Sequence, residues 1–254
     1  MKKLLAITAL SAALFFGQTA AAEEKAAEEV KPSHVEMVLV LDESGSMSNL
    51  TNDTIGGFNS MIEKEKKLDV DAHVTTVLFN DQYKMLYNRR ELKDVRKMTD
   101  KDYTPGGMTA LLDAVGRTIH KMDMVSGIHR KDKGNKVLFV IITDGEENDS
   151  KEYTYADVKK LIKDRQENAG WEFIFLGANI DAVAAAENLG IDRDRAVKYK
   201  NTGSGVRANF KAVAELSDSL AKSGRVSDEW KETVEKDEDD AADKQSAAVT
   251  LHRR

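Results

Sequence analysis

From His34 onward, short unbroken apolar runs alternate with stretches whose apolar residues recur every three or four positions. His34 to Leu41 (HVEMVLVL) ends in a continuous run, as in a central strand buried on both faces. Thr51 to Lys67 places Ile55, Phe58, Met61 and Ile62 at helical spacing with lysines between them. Ala72 to Phe79 (AHVTTVLF) is β-branched and aromatic, and Asn80-Asp81 offers a tight turn into Gln82 to Arg89, which predicts an antiparallel edge strand. The pattern continues with a helix over Thr109 to Met124, a buried strand over Lys136 to Ile142, a helix over Tyr155 to Ala169 and a strand over Trp171 to Leu176. A short helix over Ala182 to Leu189, a last strand over Ala196 to Tyr199 and a closing helix over Val206 to Ala221 complete it. Strands alternating with helices, joined by right-handed crossovers, imply an α/β fold: a doubly wound, mostly parallel sheet with one antiparallel edge strand and helices on both faces.

Both ends depart from this pattern. Met1-Lys2-Lys3 is basic, Leu4 to Gly17 is apolar and uncharged, and Ala20-Ala21-Ala22 precedes Glu23-Glu24, the layout of a secretory signal peptide over residues 1–22. The apolar stretch is shorter than the roughly 20 residues that span a bilayer, so cleavage and no stable membrane insertion are expected. Without cysteine near the cleavage point, lipid anchoring is excluded. The expected location is periplasmic or secreted. Residues 23–33, polar and holding Pro32, read as a linker before a domain over 34–222. Residues 223–254 turn acidic, densest at Glu235 to Asp240, and read as a disordered tail, with a helical turn or two as the alternative over Val226 to Val234.

Composition narrows the chemistry. Absent cysteine excludes disulfide scaffolds, thiolate zinc sites, iron–sulfur clusters and thiol nucleophiles. The formal charge of −6, or −8 without Lys2 and Lys3, argues against nucleic acid as a partner. No G-x-S-x-G turn surrounds a serine. The five histidines have no metal-binding spacing, and His73 and His120 read as structural or exposed.

Open parallel sheets place ligands at the carboxyl ends of their strands. The first buried strand runs into Asp42-Glu43-Ser44-Gly45-Ser46 and the second into Thr143-Asp144-Gly145-Glu146. Between them, Gly106-Gly107-Met108-Thr109 opens a helix, with the threonine as N-cap or ligand. Two carboxylates and three hydroxyls, without nitrogen or sulfur, suit Mg²⁺ or Mn²⁺. Glu146 and Glu147 stand at the rim as a possible contact or as a solvated turn, and Met47 and Met108 flank the loops, with core packing the expected role.

At these residues the sequence resembles the von Willebrand factor type A domain over roughly Val35 to Ala221. Asp42-x-Ser44-x-Ser46, Thr109 and Asp144 match that family's metal-ion-dependent adhesion site. The segments Thr54 to Asn59 and Phe173 to Asn179 are similar to its small stand-alone bacterial members. The resemblance implies Ser44 and Ser46 as direct ligands, Thr109 as the conformation-sensitive ligand, and Asp42 and Asp144 as charged support. It also implies a partner protein whose Asp or Glu carboxylate completes the coordination. The expected function is metal-dependent protein binding without catalysis. A metal-dependent hydrolase and a permanent structural component of a cell-envelope assembly remain the alternatives.

Overall fold

In a computed structural model, which describes residues 34–68, 70–125 and 135–236, one sheet is built from β1 (His34–Asp42), β2 (Ala72–Phe79), β3 (Tyr83–Glu91), β4 (Asn135–Thr143), β5 (Glu172–Gly177) and β6 (Ala196–Lys198). The expected signal peptide over 1–22 and linker over 23–33 lie outside the described residues. Strand order is β3-β2-β1-β4-β5-β6. All neighbours run parallel except β2 and β3, which pair antiparallel across the turn at Asn80. The doubly wound fold expected from the alternating pattern is therefore the one adopted.

The sheet is covered by α1 (Thr51–Lys67), α2 (Leu111–Asp123), α3 (Tyr155–Asp164), α4 (Ala182–Leu189) and α5 (Gly203–Ser223). The unbroken apolar runs of the inner strands serve two layers at once, because successive side chains point to opposite faces. Met37, Leu39 and Leu41 of β1 join Leu138, Val140 and Ile142 of β4 in a core closed by Phe58 of α1 and Phe210 of α5. Val38 and Val40 join Phe139, Ile141, Phe173 and Phe175 in the second core, under α2, α3 and α4. Each large side chain buried here contributes about 1.5–3 kcal/mol. The helix expected over Tyr155 to Ala169 finishes in a wider π turn over Arg165–Ala169, and Gly170, at φ +68, ends it.

One boundary needs correcting. Residues 223–236 are not a disordered tail: the helical alternative holds there, with residues 230–236 helical and Val226, Trp230 and Val234 buried in the α1/α5 core. Trp230 and Val234, four residues apart, share a face of this helix, and Val226 reaches the same core from the turn before it, so a segment that looks polar on average still buries three apolar side chains. Residues 237–254 lie outside the described part.

Candidate metal centre

Strand order reverses between β1 and β4, the first leading into the β2 side of the sheet and the second into the β5 side. Loops leaving neighbouring strands in opposite directions open a crevice at their carboxyl ends, the usual ligand position in such sheets. Asp42 ends β1, Thr143 ends β4, and Asp144 follows it. The third loop is pinned between them. Gly106 N–H donates to Glu43 O at 2.9 Å, and Gly107 O accepts from Gly45 N–H at 3.2 Å. Gly107 has φ +76, and a Cβ there would lie 2.0 Å from Asp81 Oδ1, so only glycine fits this bend.

The loops bring the predicted residues together. Ser44 Oγ lies 3.0 Å from Ser46 Oγ, and Ser46 Oγ donates to Asp144 Oδ1 at 2.5 Å. Thr109 Oγ1 and Ser46 Oγ both stand within 4 Å of the point a Cβ on Gly145 would occupy. Asp42 supports the cluster from behind, its Oδ1 accepting from Ser44 N–H at 2.7 Å and its Oδ2 from Thr143 Oγ1 at 2.6 Å. Thr109 is not the N-cap of α2. Ala110 takes that position, and the helix start is satisfied from the loop after β4: Glu147 Oε2 accepts from Leu112 N–H and Ser150 Oγ from Asp113 N–H. Asn148 Oδ1 accepts from Thr109 N–H at 2.8 Å. The Thr109 hydroxyl thus makes no hydrogen bond to another described residue and remains available as a donor atom.

Charge is concentrated but not neutralised. Asp42 and Asp144 are 1% and 2% exposed, and no lysine, arginine or histidine among the described residues forms an ion pair with either. Burial pushes the Asp42 carboxyl above its ordinary range, against the bonds from Ser44 and Thr143, and the nearby Asp144 charge pushes the same way. The donor set fits a hard divalent cation. In an octahedron with bonds of about 2.0–2.1 Å, neighbouring oxygens stand about 2.9 Å apart, close to the 3.0 Å and 2.5 Å separations within the Ser44, Ser46 and Asp144 group.

Several residues at the centre carry no motif. Thr143 orients Asp42. Asn201 Nδ2 donates to Asp144 Oδ2 at 3.3 Å, and Asn179, held at φ +56, donates to Asp144 O at 3.4 Å. Asn201 belongs to the polar stretch after β6, and polarity at the carboxyl end of a buried strand was the available signal. The rim carboxylates divide. Glu147 accepts from the N–H groups of Leu112, Asp149 and Ser150 and from Ser150 Oγ, so it is a loop anchor. Glu146 is exposed. Glu43 is buried, held by Lys84 at 3.0 Å and by Thr104. Met47 packs in the core as expected, whereas Met108 is 51% exposed beside the site.

The histidines depart from their reading as isolated residues. At the opposite, amino-terminal edge of the sheet, the parallel register sets Glu36 of β1 against His73 of β2. His73 Nδ1 lies 2.9 Å from His34 Nε2, and each nitrogen lies 3.3 Å from Glu36 Oε1. Burial raises the Glu36 carboxyl, but bonds from His34 and Arg89 with the Arg89 charge outweigh it and bring it to about 2.

A family model described as vWA-TerF-like, the vWA found in the C terminus of TerF, matches residues 34–199. No curated protein matches the sequence. Among solved structures, proximal thread matrix protein 1 from the mussel byssus is 13% identical with a TM-score of 0.53, covering 72% of this chain and 45% of that one. The vWF domain of the type V pili tip protein Mfa5 from Porphyromonas gingivalis is 12% identical with a TM-score of 0.53, over 78% and 99% of the two chains. The pilus adhesin SpaC of Lactobacillus rhamnosus GG, in its open conformation, is 15% identical with a TM-score of 0.57, over 76% and 31%. This chain spans less than half the length of the mussel protein and about a third of the adhesin. At these identities the likeness is one of fold.

Proposed function

The chain belongs to the vWA-TerF-like family of von Willebrand factor type A domains, and on that premise we propose that it is an exported protein-binding module whose docking depends on Mg²⁺ or Mn²⁺ at the β1/β4 crevice. The pair of buried carboxylates, Asp42 and Asp144, lined by hydroxyls and without an ion pair to a cationic side chain among the described residues, carries this reading. Two such charges are costly to keep out of water unless a cation joins them. Ser44, Ser46 and Thr109 would hold the ion through their hydroxyls, and Asp42 and Asp144 would supply the charge. Asp42 acts from behind, because both of its oxygens already accept protein hydrogen bonds. When bound, the ion supplies a Lewis-acidic coordination position that a partner's Asp or Glu carboxylate can fill. Ser46 and Gly107 keep this face open to solvent, and exposed Met108 offers an adaptable apolar contact beside it.

Two of the three acids nearest the crevice are unsuited to hydrolysis, since a general base must be free to take a proton, and the third, Glu146, is exposed with no hydrogen-bond partner among the described residues to orient it. Glu43 and Glu147 are committed to other partners. Export is supported by the signal-like pattern of residues 1–22, and among the described residues no helix is long and apolar enough to cross a membrane. The similar folds of a pilus adhesin and a pili tip protein support a role in interaction.

Affinity capture from the cell-envelope fraction, run in Mg²⁺ and in chelator with wild type and Asp144→Ala, tests the proposal. A partner held only in Mg²⁺, and lost in the variant, is expected. Capture indifferent to chelator would indicate a permanent structural component instead. A metal-dependent phosphatase or esterase rate that disappears in Asp144→Ala would replace binding with catalysis.

A further inference from the structure

We propose that His34, Glu36 and His73 form a second metal site, selective for a zinc-like ion and separate from the crevice at the other end of β1. Three lone-pair-bearing atoms converge there: His34 Nε2, His73 Nδ1 and Glu36 Oε1 stand 2.9, 3.3 and 3.3 Å from one another. Tetrahedral zinc with bonds of about 2.0–2.1 Å sets neighbouring ligand atoms about 3.3 Å apart. The three atoms therefore already mark one face of such a tetrahedron.

Neighbouring groups hold that face in place. His34 Nδ1 lies 3.0 Å from Asp71 Oδ1, so with the Nδ1 proton donated outward an ion that displaces the proton shared between Nε2 and Glu36 meets the Nε2 lone pair pointing inward. A carboxylate behind an imidazole in this way fixes the tautomer and strengthens the ligand. Glu36 is buried, and its second oxygen accepts from Arg89 Nε at 3.0 Å. The two imidazoles, by contrast, are partly exposed and line a surface cleft with Val70, Asp71, Ala72 and Glu91, which gives an ion a way in.

Arg89 controls the fourth side. Its backbone is held at φ +46 next to register shifts in the β2/β3 pairing, with its N–H donating to Thr75 Oγ1 at 3.1 Å. From there the guanidinium reaches Glu36 Oε1 and stands 3.2 Å from His73 Nδ1. A fixed positive charge on these atoms competes with any metal, so the site is tuned towards weaker binding than its ligands alone would give. Two imidazoles and one carboxylate prefer Zn²⁺ to Mg²⁺, which seeks an all-oxygen shell. The two ends of β1 thus discriminate between ions by ligand chemistry.

Zinc titration calorimetry on the whole chain in excess Mg²⁺ tests this, using wild type, His73→Gln, Arg89→Leu and Asp144→Ala. Wild type and Asp144→Ala should bind one Zn²⁺ alike, His73→Gln should bind roughly a hundredfold more weakly, and Arg89→Leu roughly tenfold more tightly. Co²⁺ should give the intense visible absorption of a tetrahedral ion in wild type, a readout that does not depend on any variant folding. Zinc affinity unchanged by His73→Gln, or a weak octahedral Co²⁺ spectrum in wild type, would overturn the proposal and leave Arg89 and a shared proton as the sole occupants.

Discussion

Ser46 Oγ and Asp144 Oδ1, 98 positions apart in the chain, stand 2.5 Å from each other at the crevice between β1 and β4. No local preference brings them together. They meet because β1 pairs with β4 while β2 lies on the other side of β1, so two loops remote in sequence leave the sheet side by side.

Removing either carboxylate should abolish the magnesium response. At a Mg²⁺ concentration about a hundred times its Kd, binding adds about 2.7 kcal/mol of stability. Thermal melts of wild type should show this rise, and Asp42→Ala and Asp144→Ala should show almost none of it.

Thr109 and Thr143 should separate cleanly. Thr109→Val removes a hydroxyl that caps nothing, so the metal-free protein should lose less than about 1 kcal/mol while Mg²⁺ affinity falls. Thr143→Val leaves Asp42 Oδ2 buried without its donor, and chemical denaturation should register a loss of about 1–3 kcal/mol before any metal is added.

Gly107→Ala should strain the bend that carries Thr109, with a cost of about 1–3 kcal/mol from the positive φ, and more if Asp81 cannot move. Calorimetry should show Mg²⁺ binding weakened in the same variant, since the loop can no longer hold its distance from Gly45.

Stability should also depend on a group far from either metal site. Glu65 is fully buried between α1 and α5, and burial pushes its carboxyl up to about 7. The bond from Ser217 opposes this, Asp218 adds to it, and Lys64 and Lys222 oppose it weakly. Its pKa is raised on folding, so its contribution is fully present below about pH 4.5 and lost as pH rises towards 7, a change of about 3 kcal/mol. Urea denaturation across this window should show the decline in wild type and a flatter profile in Glu65→Gln.

A chain ending at Ser223 should be markedly less stable than one ending at Lys236. Trp230→Ala alone should cost about 3–5 kcal/mol, the usual penalty for emptying a buried aromatic position. Equal melting temperatures for the two truncations would show that Val226, Trp230 and Val234 do not dock in solution.

How much was legible from sequence follows from how far each signal reaches. Thr51–Lys67, Ala72–Phe79 and Ala182–Leu189 were bounded correctly because periodicity, β-branching and the flanking turns act within a few residues. Asp42, Ser44, Ser46 and Asp144 stood out because they lie at or just past the end of an apolar run, where the chain must leave the sheet, and Thr109 because it follows a glycine pair at a helix start. The Glu36 cluster was hidden, since His34 and His73 are 39 positions apart and meet only through strand register. The helix around Trp230 was legible only as the alternative to a disordered tail, because an average over charged neighbours conceals three apolar side chains.

The central place of β1 has a mechanical consequence. The strand is hydrogen-bonded along nearly its whole length to parallel partners on both sides. Tension applied through the segment preceding His34 would load both ladders in shear, so many bonds would have to fail together. A peeling load, by contrast, breaks them one at a time. Slipping by one position would offer no relief, because it would turn every side chain of β1 into the opposite layer. The strand that carries Asp42 to the crevice is thus also the one best placed to keep that crevice intact while the molecule is pulled.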